Sequence, residues 1–109
     1  KVILTADRTT ISADGYDLSY VTIDCVDSEG NFVPTAMNQL YFEVTGAGEL
    51  AGVDNGDATG MESLKGTTMK LFNGKALAIV RSLRGEKGDI TLTVTGDGIE
   101  SAAVTLKAD

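Results

Sequence analysis

The sequence contains no histidine and no tryptophan, and it has a single cysteine and a single proline. Without histidine, the Ser-His and Cys-His pairs that activate a catalytic nucleophile are excluded. A zinc site would lack both of its usual ligand types, histidine and clustered cysteine. Cys25 has no partner for an intrachain disulfide, so the cysteine content does not indicate a redox compartment.

Basic residues and long apolar runs are also scarce. Nine Lys and Arg stand against sixteen Asp and Glu, the net charge is −7, and no two basic residues are adjacent. This balance opposes binding to nucleic acid or to an anionic membrane, since both need clustered positive charge. No apolar run approaches the roughly 18 residues of a membrane-spanning helix, and no signal-peptide segment is found. We therefore expect no nucleic-acid partner and no membrane insertion.

What the sequence does contain is a succession of short β-strands. Residues 76–80 are all apolar and lie between the turn signal at residues 73–74 and Gly85, which predicts a strand buried on both faces. Residues 18–27 and 90–95 alternate between apolar and mostly polar side chains, the pattern of a strand with one buried face. In residues 18–27, this alternation places Cys25 inward as a small buried hydrophobe.

The spacing of these segments predicts the fold class. Seven to nine strands recur at intervals of roughly 8 to 12 residues, and no segment has helical periodicity, which predicts an all-β, immunoglobulin-like β-sandwich of seven to nine antiparallel strands without significant helix. A length of 109 residues corresponds to one domain. Both ends fall in predicted strands, so we expect residues 1–109 to be a single domain excised from a larger polypeptide. The predicted core comprises Leu4, Ile11, Val21, Ile23, Cys25, Leu40, Phe42, Val44, Ala78, Val80, Ile90, Leu92, Val94, Val104 and Leu106.

Four segments together resemble a known family. They are residues 6–15 (ADRTTISADG), residues 17–30, residues 52–57 (GVDNGD) and residues 72–82 (FNGKALAIVRS). In this order, and over nearly the whole chain, they are similar to the C-terminal immunoglobulin-like domain five of glycoside hydrolase family 2, the family of β-galactosidases. A more distant similarity is to the invasin-type immunoglobulin-like domains of bacterial surface proteins.

The resemblance implies an accessory domain of a bacterial glycosidase that acts in carbohydrate degradation. It implies that the parent enzyme is periplasmic or extracellular and that its neighbouring domains are the partners of this one. The family's catalytic glutamates lie in a separate barrel domain, so the resemblance implies no catalytic residue and no cofactor in this fragment. Two alternatives are a carbohydrate-binding module and an adhesin-type repeat of a surface protein.

Leu77 and Ile79 form the first candidate site. If their neighbours in the strand face the core, these two side chains face outward, and adjacent outward aliphatic residues are typical of contact surfaces. We expect them to be covered either by residues 54–67 folding back or by a neighbouring domain.

Two further sets of residues are candidate ligand sites. Tyr20 and Tyr41 lie on predicted outer faces and are candidate sugar contacts, since they would lie side by side if their strands pair, but ordinary cross-strand packing is the favoured interpretation. Asp54, Asp57 and Glu62 offer carboxylates for calcium. The favoured interpretation of residues 54–57 is instead a tight turn in which side chains bond their own backbone, and no EF-hand spacing is present.

Overall fold

The computed structural model describes residues 1–34, 38–54, 68–71, 74–96 and 98–109. Within these ranges no helix has the length and hydropathy needed to cross a bilayer. The strands in chain order are β1 (Val2–Ala6), β2 (Thr10–Ile11), β3 (Leu18–Cys25), β4 (Gln39–Gly46), β5 (Gly48–Asp54), β6 (Thr68–Lys70), β7 (Lys75–Ser82), β8 (Gly88–Gly96) and β9 (Ile99–Ala108).

The strands form two sheets that pack face to face. The four-stranded sheet has the order β1-β3-β7-β5, and the five-stranded sheet has the order β2-β9-β8-β4-β6. Every pairing described between these strands is antiparallel except the two-residue pairing of β2 with β9, which is parallel. The prediction of an immunoglobulin-like β-sandwich is confirmed.

The core lies between the two sheets, where the alternating apolar residues of both sheets meet. All of the predicted core residues belong to this buried cluster or pack against it. The cluster also takes in Val2 from the first strand and Ala108 from the last, so both ends of the described chain are fixed to the core. Its fully buried side chains include Ile23 and Leu92, which come from different sheets.

Two details differ from the sequence prediction. In β7 the side chains of residues 76, 78 and 80 are buried, but Leu77 and Ile79 are only half-buried, so the strand is not buried on both faces. If the alternation of β3 continued to Val26, this side chain would face outward, yet it is buried. The reason is that β3 ends at Cys25, after which Val26 forms an isolated bridge with Phe32 and the alternation no longer applies.

The chain crosses from the five-stranded to the four-stranded sheet at Ala47. Gly46, at the end of β4, has a φ of +91°, and a Cβ atom there would lie 2.1 Å from the carbonyl oxygen of Asp89. The same oxygen accepts the N–H of Ala47 at 3.0 Å. Glycine therefore allows β4 to approach β8 closely while the chain turns into the other sheet.

Candidate functional site

The outer surface of the four-stranded sheet carries a group of apolar side chains. Tyr20 of β3 lies directly opposite Ile79 of β7, and Leu77 lies one outward position further along β7, opposite Thr22. Tyr20 is 42% exposed, whereas Leu77 and Ile79 are half-buried. We call this surface, defined by Tyr20, Leu77 and Ile79, the apolar face. Ile3 of β1 is also exposed on this sheet, but it lies opposite Asp24, two outward positions along β3 from Tyr20, and is not part of the group.

Ion pairs bound the apolar face at both ends of the sheet. At one end the Lys75 ammonium donates to Asp24 Oδ1 at 2.6 Å, between residues that are directly opposite in β7 and β3. At the other end Arg81 Nε donates to Glu49 Oε1 at 2.9 Å, between opposite residues of β7 and β5. An apolar centre with a polar rim is the usual anatomy of a protein–protein contact.

The outer surface of the five-stranded sheet has a different chemistry. We call it the threonine face, because outward positions of its neighbouring strands hold Thr45, Thr91, Thr93, Thr95 and Thr105. Tyr41 lies opposite Thr95, and Glu43 lies opposite Thr93. These four side chains line a shallow depression.

The two candidate sugar contacts lie on opposite sides of the molecule. Tyr20 belongs to the four-stranded sheet and Tyr41 to the five-stranded sheet, and both are 42% exposed. Since β3 and β4 do not pair, the two rings do not form one platform for a sugar.

A polar corner ties β2 to the start of β3. The Arg8 guanidinium donates to both carboxylate oxygens of Asp17, with a distance of 2.7 Å between Nη2 and Oδ2. The backbone N–H groups of Ser12 and Leu18 also donate to Asp17, at 2.8 and 3.1 Å. The Arg8 side chain and the Ser12 N–H together lower the pKa of Asp17 from 3.8 to about 2. Because its bonds are to the neighbouring backbone and to Arg8, this corner is structural.

One of the three candidate calcium ligands lies among the described residues. Asp54 is exposed at the end of β5, while Asp57 and Glu62 lie outside the described residues. Among the described residues, no three His, Cys, Asp or Glu side chains are placed to hold a metal ion. Cys25 is free and buried, as its position in the alternation predicted.

Sequence reasoning found part of the apolar face and missed the rest. Leu77 and Ile79 were identified from their place in β7, and Tyr20 was considered for sugar binding. The position of Tyr20 directly opposite Ile79 was missed. The meeting of these residues on one surface depends on the pairing of β3 with β7, which no local pattern encodes.

The comparisons with known proteins cover the whole sandwich. The profile of the family described as glycoside hydrolase family 2 C-terminal domain 5 matches residues 2–105. β-Galactosidase BoGH2A of Bacteroides ovatus is 39% identical over 109 residues, which are 100% of this chain and 13% of that protein. The crystal structure of a glycosyl hydrolase family 2 member from Bacteroides cellulosilyticus matches with a TM-score of 0.95 and 35% identity, over 100% of this chain and 14% of that one.

The sandwich is also similar to a bacterial adhesin. The structure of InvE from Yersinia pseudotuberculosis matches with a TM-score of 0.66 and 25% identity, over 98% of this chain and 26% of that one. We take this likeness as one of fold. The chain thus spans about one seventh of the length of the first two relatives and about a quarter of the adhesin.

Proposed function

The chain belongs to the glycoside hydrolase family 2 C-terminal domain 5 family, and from this membership we propose that it is a non-catalytic accessory domain of a β-galactosidase-like enzyme. The observation that carries the proposal is a match over the whole of this chain but over only 13% of BoGH2A. A segment of that size leaves room in the parent polypeptide for separate catalytic domains.

The proposed role is to stabilise or orient those other domains. Leu77 and Ile79 support it, because they are half-buried aliphatic side chains on an outer sheet surface. The alternative cover expected from the sequence, residues 54–67, lies outside the described residues except for Asp54. We place the parent enzyme in the periplasm or outside the cell, where polymeric carbohydrate is met, and fractionation of the source cells tests that placement.

Hydrolysis assays test the non-catalytic role. The complete polypeptide and the 109-residue domain are each incubated with chromogenic β-galactosides. We expect release of the chromophore by the complete polypeptide and none above background by the domain. Hydrolysis by the domain alone would refute the non-catalytic role, and a complete polypeptide inactive on every glycoside tested would refute the glycosidase assignment.

Carbohydrate binding is the second candidate function. The depression beside Tyr41 favours it, because an aromatic ring flanked by Glu43 and threonine hydroxyl groups offers both stacking and hydrogen bonds to a sugar. A titration with galactosides and plant glycans, followed by NMR, distinguishes this function from the first. Saturable shifts confined to the surroundings of Tyr41 would favour it.

A further inference from the structure

We propose that an adjoining domain of the same polypeptide covers the apolar face and leaves the threonine face open to solvent, with Tyr20 as the central anchor of the contact. The inference rests on the proposed function, because it requires further domains in the parent chain. It goes beyond that function in naming which of the two outer surfaces makes the contact and what chemistry the contact requires.

The contrast between the two outer surfaces carries the inference. Both belong to sheets of the same sandwich and share one core, so neither needs apolar residues on its outside for the fold. The central strand of the five-stranded sheet, β8, nevertheless has threonine at its outward positions 91, 93 and 95, while β7 has leucine and isoleucine at 77 and 79. Tyr20 lies directly opposite Ile79 and enlarges the patch. Aromatic anchors beside aliphatic residues are typical of contact centres.

The ion pairs at the rim indicate the chemistry of the surface that the adjoining domain presents. Asp24 is already paired with Lys75, and Glu49 with Arg81, so the adjoining domain does not need to bring charges to this surface. Leaving an ion pair at the rim also avoids the cost of burying it. The adjoining domain then presents a largely apolar surface with a hydrogen-bonding group for the Tyr20 hydroxyl.

A second copy of this chain fits the apolar face less well. Each copy has a net charge of −7, and two such domains repel each other. A group of three side chains is also small for a contact between free molecules, which usually buries about 800 Å² on each partner. A domain on the same polypeptide is held at a high effective concentration, so a small apolar contact is sufficient.

Cysteine labelling of the complete polypeptide tests the proposal. Tyr20→Cys and Tyr41→Cys form a matched pair, because the two tyrosines are equally exposed, at 42%, on opposite surfaces of the sandwich. Cys25 is buried and contributes little background. We expect a maleimide to react at least tenfold more slowly with the Tyr20→Cys protein than with the Tyr41→Cys protein.

A second pair of variants is a control, because replacing a large tyrosine by cysteine could itself weaken the contact. Thr22→Cys and Thr93→Cys are small changes at half-buried outward positions of β3 and β8, and the same difference in rate is expected. Equal rates within both pairs would overturn the proposal, as would slow labelling on both surfaces. A difference in rate that persists in the isolated domain would overturn it too: with a doubled mass it would assign the apolar face to a second copy, and with the mass of one copy it would assign the face to residues of this chain.

These outcomes separate the inference from the proposed function. A polypeptide that hydrolyses galactosides but labels equally on both surfaces refutes the inference alone. A polypeptide that labels unequally but hydrolyses no glycoside refutes the proposed function and leaves a covered apolar face.

Discussion

At position 46 both the backbone conformation and the close packing of the neighbouring strand require glycine. Its φ of +91° is unfavourable for any residue with a Cβ atom, and that atom would press on the Asp89 carbonyl oxygen. Since this oxygen accepts the Ala47 N–H, displacing it also breaks the hydrogen bond at the crossing between the sheets.

Gly46→Ala is therefore expected to lower the free energy of unfolding by about 1–2 kcal/mol for the left-handed backbone and by about 1–3 kcal/mol more for the lost hydrogen bond. Gly85→Ala is the matched control, because Gly85 has a φ of +76° but no atom of the described residues lies within 4 Å of a new Cβ. The Gly85→Ala variant should lose only the part of the free energy of unfolding that comes from the left-handed backbone. Urea unfolding measures both, and equal losses would show that the contact with Asp89 contributes nothing.

The lowered pKa of Asp17 predicts how the stability of the domain changes with falling pH. Its pKa in the folded chain is about 2, below the ordinary 3.8, mainly because of the hydrogen bonds from Arg8. The unfolded chain therefore binds a proton at higher pH than the folded chain does. The stabilisation from the charged Asp17 is fully present above about pH 4 and is lost as the pH falls through about 2.

The Asp17→Asn variant should be less stable than the parent chain at pH 7. The difference should shrink between about pH 4 and pH 2, because the parent side chain becomes neutral over that range. Urea midpoints for both proteins at pH 7, 4, 3 and 2 measure this difference. A gap that stays constant down to pH 2 would contradict the assignment of the stabilisation to the charged carboxylate.

At the scale of the strands, β8 shows how clearly the two faces differ. Leu92 is fully buried between the sheets, while its neighbour Thr93 lies on the threonine face. Leu92→Ala should reduce the free energy of unfolding by about 2–5 kcal/mol, because it leaves a cavity in a core that cannot fully collapse.

Thr93→Ala serves as the control in the same strand and should change the stability by less than about 1 kcal/mol, the range of strand propensities. Chemical denaturation of both variants gives the comparison. Similar losses for the two would mean that the assignment of buried and outward positions in β8 is wrong.

The sequence predicted the strands and their buried faces because both depend on local patterns. Alternation in residues 18–27 and 90–95 placed Val21, Ile23 and the inward residues of β8 (Ile90, Leu92 and Val94) in the core, as observed. The end of β3 was less predictable, since Val26 continues the apolar composition but leaves the strand to pair with Phe32.

Features that depend on sheet order could not be predicted in the same way. Tyr20 and Tyr41 are both outward residues, yet only the pairing of β3 with β7 and of β4 with β8 shows that they lie on opposite surfaces. For the same reason the pairing of Tyr20 with Ile79, and thus the extent of the apolar face, became visible only in the folded chain.

At the scale of the whole molecule, the chain is a sandwich with its own core, one polar outer surface and one apolar outer surface. It belongs to the glycoside hydrolase family 2 C-terminal domain 5 family. In the proposed function, the apolar face is the surface through which the domain stabilises its neighbours.

Removal of this domain from the complete polypeptide tests that account most directly. The measurement is kcat on a β-galactoside together with the thermal unfolding temperature, for the polypeptide with and without these 109 residues. We predict that the shortened polypeptide keeps a kcat within a few-fold of the original while folded, and that it unfolds several degrees lower because the apolar contact is lost. A folded shortened polypeptide with no turnover, or one with an unchanged unfolding temperature, would contradict a non-catalytic, stabilising role.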